Sequence, residues 1–185
     1  MQRAGVDRRK GIIFEIIAGV LLLVLIAIDQ ITKCHFSKNY YYGERTAVID
    51  GFFYFTYTVN TGAAWSFLAE YSWAQTFFKI LTIVALVMFV AFYVYAFKKG
   101  YKWLKISIVL VVAGTIGNFI DRVAFDGVID FLSFVFGSYH FPVFNIADCC
   151  LVVGVIMVIV HYLFLDEGRL IKLKDKDGKK EFSDK

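Results

Sequence analysis

One proline, three cysteines and three histidines in 185 residues leave little material for several kinds of site chemistry. Cys34, Cys149 and Cys150 make neither an even disulfide framework nor a metal-ligand spacing, so they read as buried free thiols. His35, His140 and His161 are scattered with no H-E-x-x-H arrangement, which argues against an intramembrane zinc protease. No metal and no cofactor is expected. Charge is scarce over long stretches. Gly11–Ile28 holds one charged residue, Glu15; Ala74–Phe97 holds only Lys79; Ile106–Ile120 holds none; Phe144–Leu165 holds only Asp148. With 59% apolar residues overall, this pattern excludes an ordinary soluble domain. A helix needs about 20 apolar residues to cross a bilayer, so the runs predict four transmembrane helices.

What charge there is gathers in the flanks. Arg3, Arg8, Arg9 and Lys10 precede the first run, Lys98, Lys99, Lys102 and Lys105 fill the second connection, and Arg169 with several lysines follows the fourth. Positive residues mark the cytoplasmic side, so both termini are expected in the cytoplasm, and the first and third connections outside. The net charge of +4 is then mainly topogenic, and the basic tail is a membrane-flanking segment rather than a nucleic-acid arm. The first run lacks a small-residue cleavage site and flows into DQITK, which reads as a permanent span. The expected organisation is one four-span domain over residues 1–168 and a flexible basic tail over 169–185. In the first outer connection, VIDGFFYFTYTVN suggests strands at the membrane surface, and NTGAAWSFL an interfacial helix. The second outer connection, from Val123 to Val143, reads as an apolar loop lying in the interface.

The acids are the informative residues. Asp29 closes the first run, Asn118, Asp121 and Arg122 end the third, Asp126 and Asp130 follow in the connection, and Asn145 with Asp148 opens the fourth. In an up-and-down bundle all of them reach one membrane level. Taken singly, each has a plain structural explanation: an Asp121–Arg122 pair, an Asp29–Lys33 pair at i, i+4, and Asp148 at a helix N-terminus. Together they are costly at a membrane boundary unless they work as a group. Two carboxylates sharing one proton can deprotonate a water and polarise a carbonyl, which hydrolyses a peptide bond without metal or covalent intermediate. Two segments, GNFID and FNIAD, carry Asn three residues before Asp, a spacing that on a helix puts both on one face. The residues alone leave open whether Asp121 or Asp130 is the partner of Asp148.

Five blocks in order, DQITK at 29–33, NTGAAWSF at 60–67, GNFIDR at 117–122, GVIDF at 127–131 and FNIAD at 144–148, resemble the lipoprotein signal peptidase (signal peptidase II) family of bacteria over nearly the whole chain. The resemblance implies an aspartic endopeptidase of the cytoplasmic membrane that cleaves prolipoproteins just before a diacylglyceryl-modified cysteine. It implies an all-α membrane fold of four helices with a small β-rich platform and interfacial helix on the outer side. It assigns catalysis to Asp130 and Asp148. Asp29, Lys33, Asn60, Gly62, Ala63, Ala64, Asn118, Asp121, Arg122, Asn145 and Ala147 become substrate-binding or supporting residues. The implied partners are modified prolipoproteins and membrane lipids, with no nucleic acid, and the chain is expected to act as a monomer. One position departs from the family: Val59 stands where arginine is common, which leaves Arg45 or Arg122 to supply a cation. The competing class is a small ion- or proton-coupled transporter. It would place charges near the bilayer midplane and often break a helix or repeat a unit.

Overall fold

The computed structural model describes residues 2–62, 71 and 73–165, with side chains from residue 9 onward. The expected interfacial helix falls largely outside the described residues, as do Ala63, Ala64 and the tail beyond residue 165. Among the described residues, four helices are long and apolar enough to span a membrane: α1 (Gln2–Asn39), α2 (Ala74–Lys99), α3 (Lys102–Phe125) and α4 (Ile146–Val160), the last continued by a π-helical turn to Leu165. In hydrocarbon every backbone amide must be satisfied within its own segment, so apolar runs of this length settle as helices. The first helix continues past the apolar run through DQITK to Asn39, and this carries Asp29 and Lys33 on its inward face.

The third helix is the centre of the bundle. It packs against α1, α2 and α4, and 56% of its most apolar window is buried, against 6%, 6% and 17% for the other three. Small residues allow the approach to α4. A Cβ added at Gly114 would lie 2.2 Å from the Ala147 carbonyl oxygen, and one at Gly154 would lie 2.9 Å from the Ser107 carbonyl oxygen. Without a hydrophobic drive between helices in lipid, close packing of this kind is one of the contacts that hold helices together, beside interhelical hydrogen bonds. The connection from α2 to α3 is tight because Gly100, at φ 72°, donates its amide to the Phe97 carbonyl and ends α2 in the left-handed conformation.

A four-stranded antiparallel sheet caps one end of the bundle in the order β1 (Arg45–Ile49), β2 (Phe53–Asn60), β3 (Val128–Phe136), β4 (Tyr139–His140). Strand β2 lies within the aromatic and β-branched run over residues 48–60 that predicts it, and β1 begins three residues ahead of that run. The second outer connection differs from the expected loop: it contributes β3, paired along its length with β2. That strand is buried on both faces, so it reads as a continuous apolar string without alternation. Phe36 of α1 stacks on Phe131 with ring centroids 4.4 Å apart and tilts against Phe55, fastening the sheet to the helices. Leu132 pairs with Phe144, so the segment entering α4 runs beside β3 and brings Asn145 to Asp130. At the start of β3 a Cβ on Gly127 would lie 2.5 Å from Val59 Cγ1; Val59 occupies the space that this glycine leaves.

Candidate active site

The polar groups of the site end are ordered from a buried ammonium outward. Lys33 is 1% exposed, and its Nζ lies 2.9 Å from Asp29 Oδ2, 2.9 Å from Asp121 Oδ2 and 2.9 Å from Asn118 Oδ1. All three ammonium protons therefore have acceptors, the condition under which such a charge can be buried. Each of its two carboxylates has a second task. Asp29 Oδ1 accepts the Ala147 amide at 2.8 Å, tying α1 to the N-terminus of α4. Asp121 Oδ2 accepts the Ile129 amide at 3.0 Å, fixing β3 to the end of α3. Gly117 is required beside them, since a Cβ there would lie 2.5 Å from Asp29 Oδ2.

Two asparagines pass this order to the remaining acids. Asn118 Nδ2 donates to Asp148 Oδ1 at 2.8 Å. Asn145 Nδ2 donates to Asp130 Oδ1 at 2.7 Å and also lies within reach of Asn118 Oδ1 and the Ile129 carbonyl. Asn145 is the N-cap of α4: its side-chain oxygen accepts the Asp148 amide at 2.9 Å, while Asp148 Oδ2 accepts the Asn145 amide at 3.1 Å. This is a reciprocal capping box with aspartate in the place of the usual glutamate. Asn145 thus touches both Asp130 and Asp148. Asn60, at the end of β2, adds a longer donation of 3.4 Å to Asp130 Oδ2 and accepts the Gly62 amide at 2.9 Å. Burial, and then the neighbouring charge of Asp148, push the Asp130 carboxyl up to about 7; the Asn145 and Asn60 donations and the charge of Lys33 act against them.

Asp130 and Asp148 open onto a cavity of about 830 Å³. Its long walls are apolar, with Phe78, Leu81 and Ala85 from α2 on one side and Leu151, Val152 and Val153 from α4 on the other; Phe141, the single proline Pro142 and Phe144 close the sheet end. Arg122 lines the same space, with its guanidinium carbon 5.2 Å from the Phe78 ring centroid and its Nε without a hydrogen-bond partner among the described residues. Arg45 lies elsewhere, over the Tyr54 ring and 3.3 Å from Ser133 Oγ, so of the two cations expected to replace the missing arginine only Arg122 borders the cavity.

Most residues singled out from the sequence converge here: Asp29, Lys33, Asn60, Gly62, Asn118, Asp121, Arg122, Asp130, Asn145, Ala147 and Asp148. Asp126 does not; it pairs instead with Lys79 at 2.6 Å on the surface. The expectation of buried thiols holds for Cys150 alone. Cys34 is exposed on the outer face of α1, and Cys149 is half-buried on the cavity wall. Gln30 escaped the sequence reading, although its Nε2 lies within 3.2 Å of Asp29 Oδ2, Asp121 Oδ1 and the Gly117 carbonyl. An uncharged amide at the polar end of an apolar run, next to a buried acid, was the available signal.

The described geometry agrees with three comparisons. A family model for signal peptidase (SPase) II matches residues 21–164. A lipoprotein signal peptidase of Bacillus pumilus is 44% identical over 144 residues, covering 78% of this chain and 90% of its own. One of Listeria welshimeri is 39% identical over 155 residues, covering 84% and 97%. A solved structure of a bacterial membrane enzyme superposes with a TM-score of 0.70 at 35% identity, over 91% of this chain and 94% of that one.

Proposed function

The chain belongs to the signal peptidase II family, and from that premise we propose that Asp130 and Asp148 are the carboxylate pair with which it cleaves prolipoprotein signal peptides. It is an integral membrane protein and an aspartic endopeptidase acting on prolipoproteins. The observation that carries the assignment is Asn145, whose side chain and backbone hold Asp130 and Asp148 together at the polar end of an apolar cavity.

In this reading one proton serves the pair. Below about pH 7 it resides on Asp130, whose carboxyl is pushed up to about 7, and Asp148 carries the charge, with Asn118 Nδ2 and the Asn145 amide donating to it. A water between the two gives a proton to Asp148 as its oxygen bonds to the scissile carbonyl carbon. Asp130 gives its proton to the carbonyl oxygen. As the tetrahedral intermediate collapses, a proton passes from Asp148 to the leaving nitrogen, the C–N bond breaks, and the gem-diol returns a proton to Asp130. The products are a carboxylic acid and an amine, and the pair is again singly protonated. Lys33, Asp29 and Asp121 take no proton in this scheme and hold the acids in place.

In this reading the cleaved bond precedes a diacylglyceryl-modified cysteine, the site lies at the outer membrane face and both termini lie in the cytoplasm; apolar walls from α2 and α4, suited to a signal helix and acyl chains, support the substrate class. The flanking lysines and arginines support that orientation. In this reading the chain acts as a monomer. Asn60, Gly62 and Arg122, which border the cavity, contact the substrate in this reading; Ala147 fixes Asp29 against α4.

Cleavage of a diacylglyceryl-modified prolipoprotein in detergent by wild type, Asp130→Asn, Asp148→Asn and Asp121→Asn tests the assignment. The first two variants are expected to stay folded and lose at least about a thousandfold in kcat. Turnover by Asp130→Asn with none by folded Asp121→Asn would move the catalytic pair to Asp121 and Asp148.

A further inference from the structure

The second helix is held differently at its two ends. At the end far from the site, Ala96 packs with Leu104 and Ile108, with Phe89, Tyr93 and Tyr101 around them, and Tyr93 Oη donates to Glu15 of α1 at 2.5 Å. At the site end, Phe78, Leu81 and Ala85 of α2 line the cavity, while Ala74 and Phe78 are buried. Polar and ring contacts among the described residues that tie it to other elements there include Gln75 Nε2 to the Thr61 carbonyl, the Phe78 ring beneath the Arg122 guanidinium, and the ion pair of Lys79 Nζ with Asp126 Oδ1 at 2.6 Å. Lys79 is the only charge in the apolar run Ala74–Phe97, and neither the acid pair nor the cavity lining uses it. Asp126 ends α3 in the left-handed region at φ 51°, a conformation aspartate tolerates better than most residues. Four residues later the chain reaches Asp130, by way of Gly127 packed on Val59. The ion pair therefore links the α2 wall of the cavity to the turn before the strand that carries Asp130.

We propose that Lys79 is a positioning residue: its ion pair with Asp126 ties the site end of α2 to the turn before β3 and sets how far the cleft stands open to substrate. The proposal rests on reading this cavity as the substrate cleft. In this proposal a helical substrate, about 10 Å across with its side chains, enters between α2 and α4 as the site end of α2 leans outward. A tie suited to that movement must break and re-form readily. The Lys79 and Asp126 side chains are 30% and 74% exposed, which makes the pair a weak, solvent-screened one of that kind.

Cys149 on the cavity wall supplies a readout independent of catalysis. In a Cys34→Ser background, the substrate-free reaction of Cys149 with methyl methanethiosulfonate is followed by mass spectrometry for wild type, Lys79→Met, Asp126→Asn and the double variant. Each single variant is expected to label about two- to fivefold faster and to raise KM for a modified prolipoprotein by a similar factor, with kcat within about twofold. The double variant is expected to match the singles, because one interaction is lost in all three. Unchanged labelling and KM in both singles would overturn the proposal, as would effects that add in the double variant or a fall in kcat alone. Labelling is measured without turnover, so failure of the Asp130–Asp148 assignment shows separately, as cleavage by the asparagine variants.

Discussion

At the far end of the bundle, Glu15, Tyr93 and Lys105 satisfy one another beside an apolar cluster; at the site end, Asp29, Asp121, Asp130 and Asp148 face, among the described residues, the two cations Lys33 and Arg122. The first arrangement is closed, since Glu15 accepts from both Tyr93 and Lys105. The second is deliberately short of cations. Lys33 makes its ion pairs with Asp29 and Asp121 and acts on Asp130 only from a distance, so burial outweighs it and Asp130 retains a proton more readily than a free carboxyl. Burial of polar groups therefore holds the fold at one end and prepares the chemistry at the other, and perturbing each end separates the two effects.

The largest effect is expected from Lys33→Met. It leaves Asp29 and Asp121 buried without their cation, a loss of about 3–5 kcal/mol that thermal unfolding in detergent would register as a large fall in midpoint. A smaller change at the same end is Gly114→Ala. Its new Cβ meets the Ala147 carbonyl and the Leu151 side chain, so α4 must move away, at a cost of about 1–3 kcal/mol. Asp148 moves with it, and kcat/KM is expected to drop by about tenfold or more. At the far end, Tyr93→Phe removes one donor to Glu15 and should cost about 1 kcal/mol while kcat/KM stays at the wild-type value. Loss of activity there would show that the two ends are coupled. The smallest change is Asn60→Ala. Activity in this account needs a proton on Asp130, so kcat/KM falls as pH rises through about 7. Asn60 donates to the ionised carboxylate and lowers its pKa; without it the alkaline limb moves to higher pH, by less than about one unit for so long a contact.

Hydropathy made the four spans and the shared level of the acids legible in the sequence. It could not reveal β3, because VIDFLSFVF is covered on both faces and its strand partner lies some seventy residues earlier in the chain. Without that strand nothing in helical spacing favours Asp130 over Asp121; the resemblance made that choice. The two N-x-x-D segments look alike for different reasons. In GNFID both polar residues lie on the buried face of α3, whereas in FNIAD the asparagine is an extended N-cap and the spacing is that of a capping box. Lys79 was visible as an isolated charge, but its partner sits in a surface turn after another helix, a pairing that only the folded chain displays.

The central claim is that one proton, residing on Asp130 below about pH 7, is shared by the acid pair. Infrared difference spectroscopy of the folded protein, titrated from pH 5 to pH 9 with aspartate carboxyls isotopically labelled, reads that proton directly. The account predicts one protonated aspartate carboxyl that is lost at about pH 7 and is missing from the spectrum of Asp130→Asn. A spectrum with no protonated carboxyl at pH 6, or with one that persists unchanged in Asp130→Asn, would contradict it.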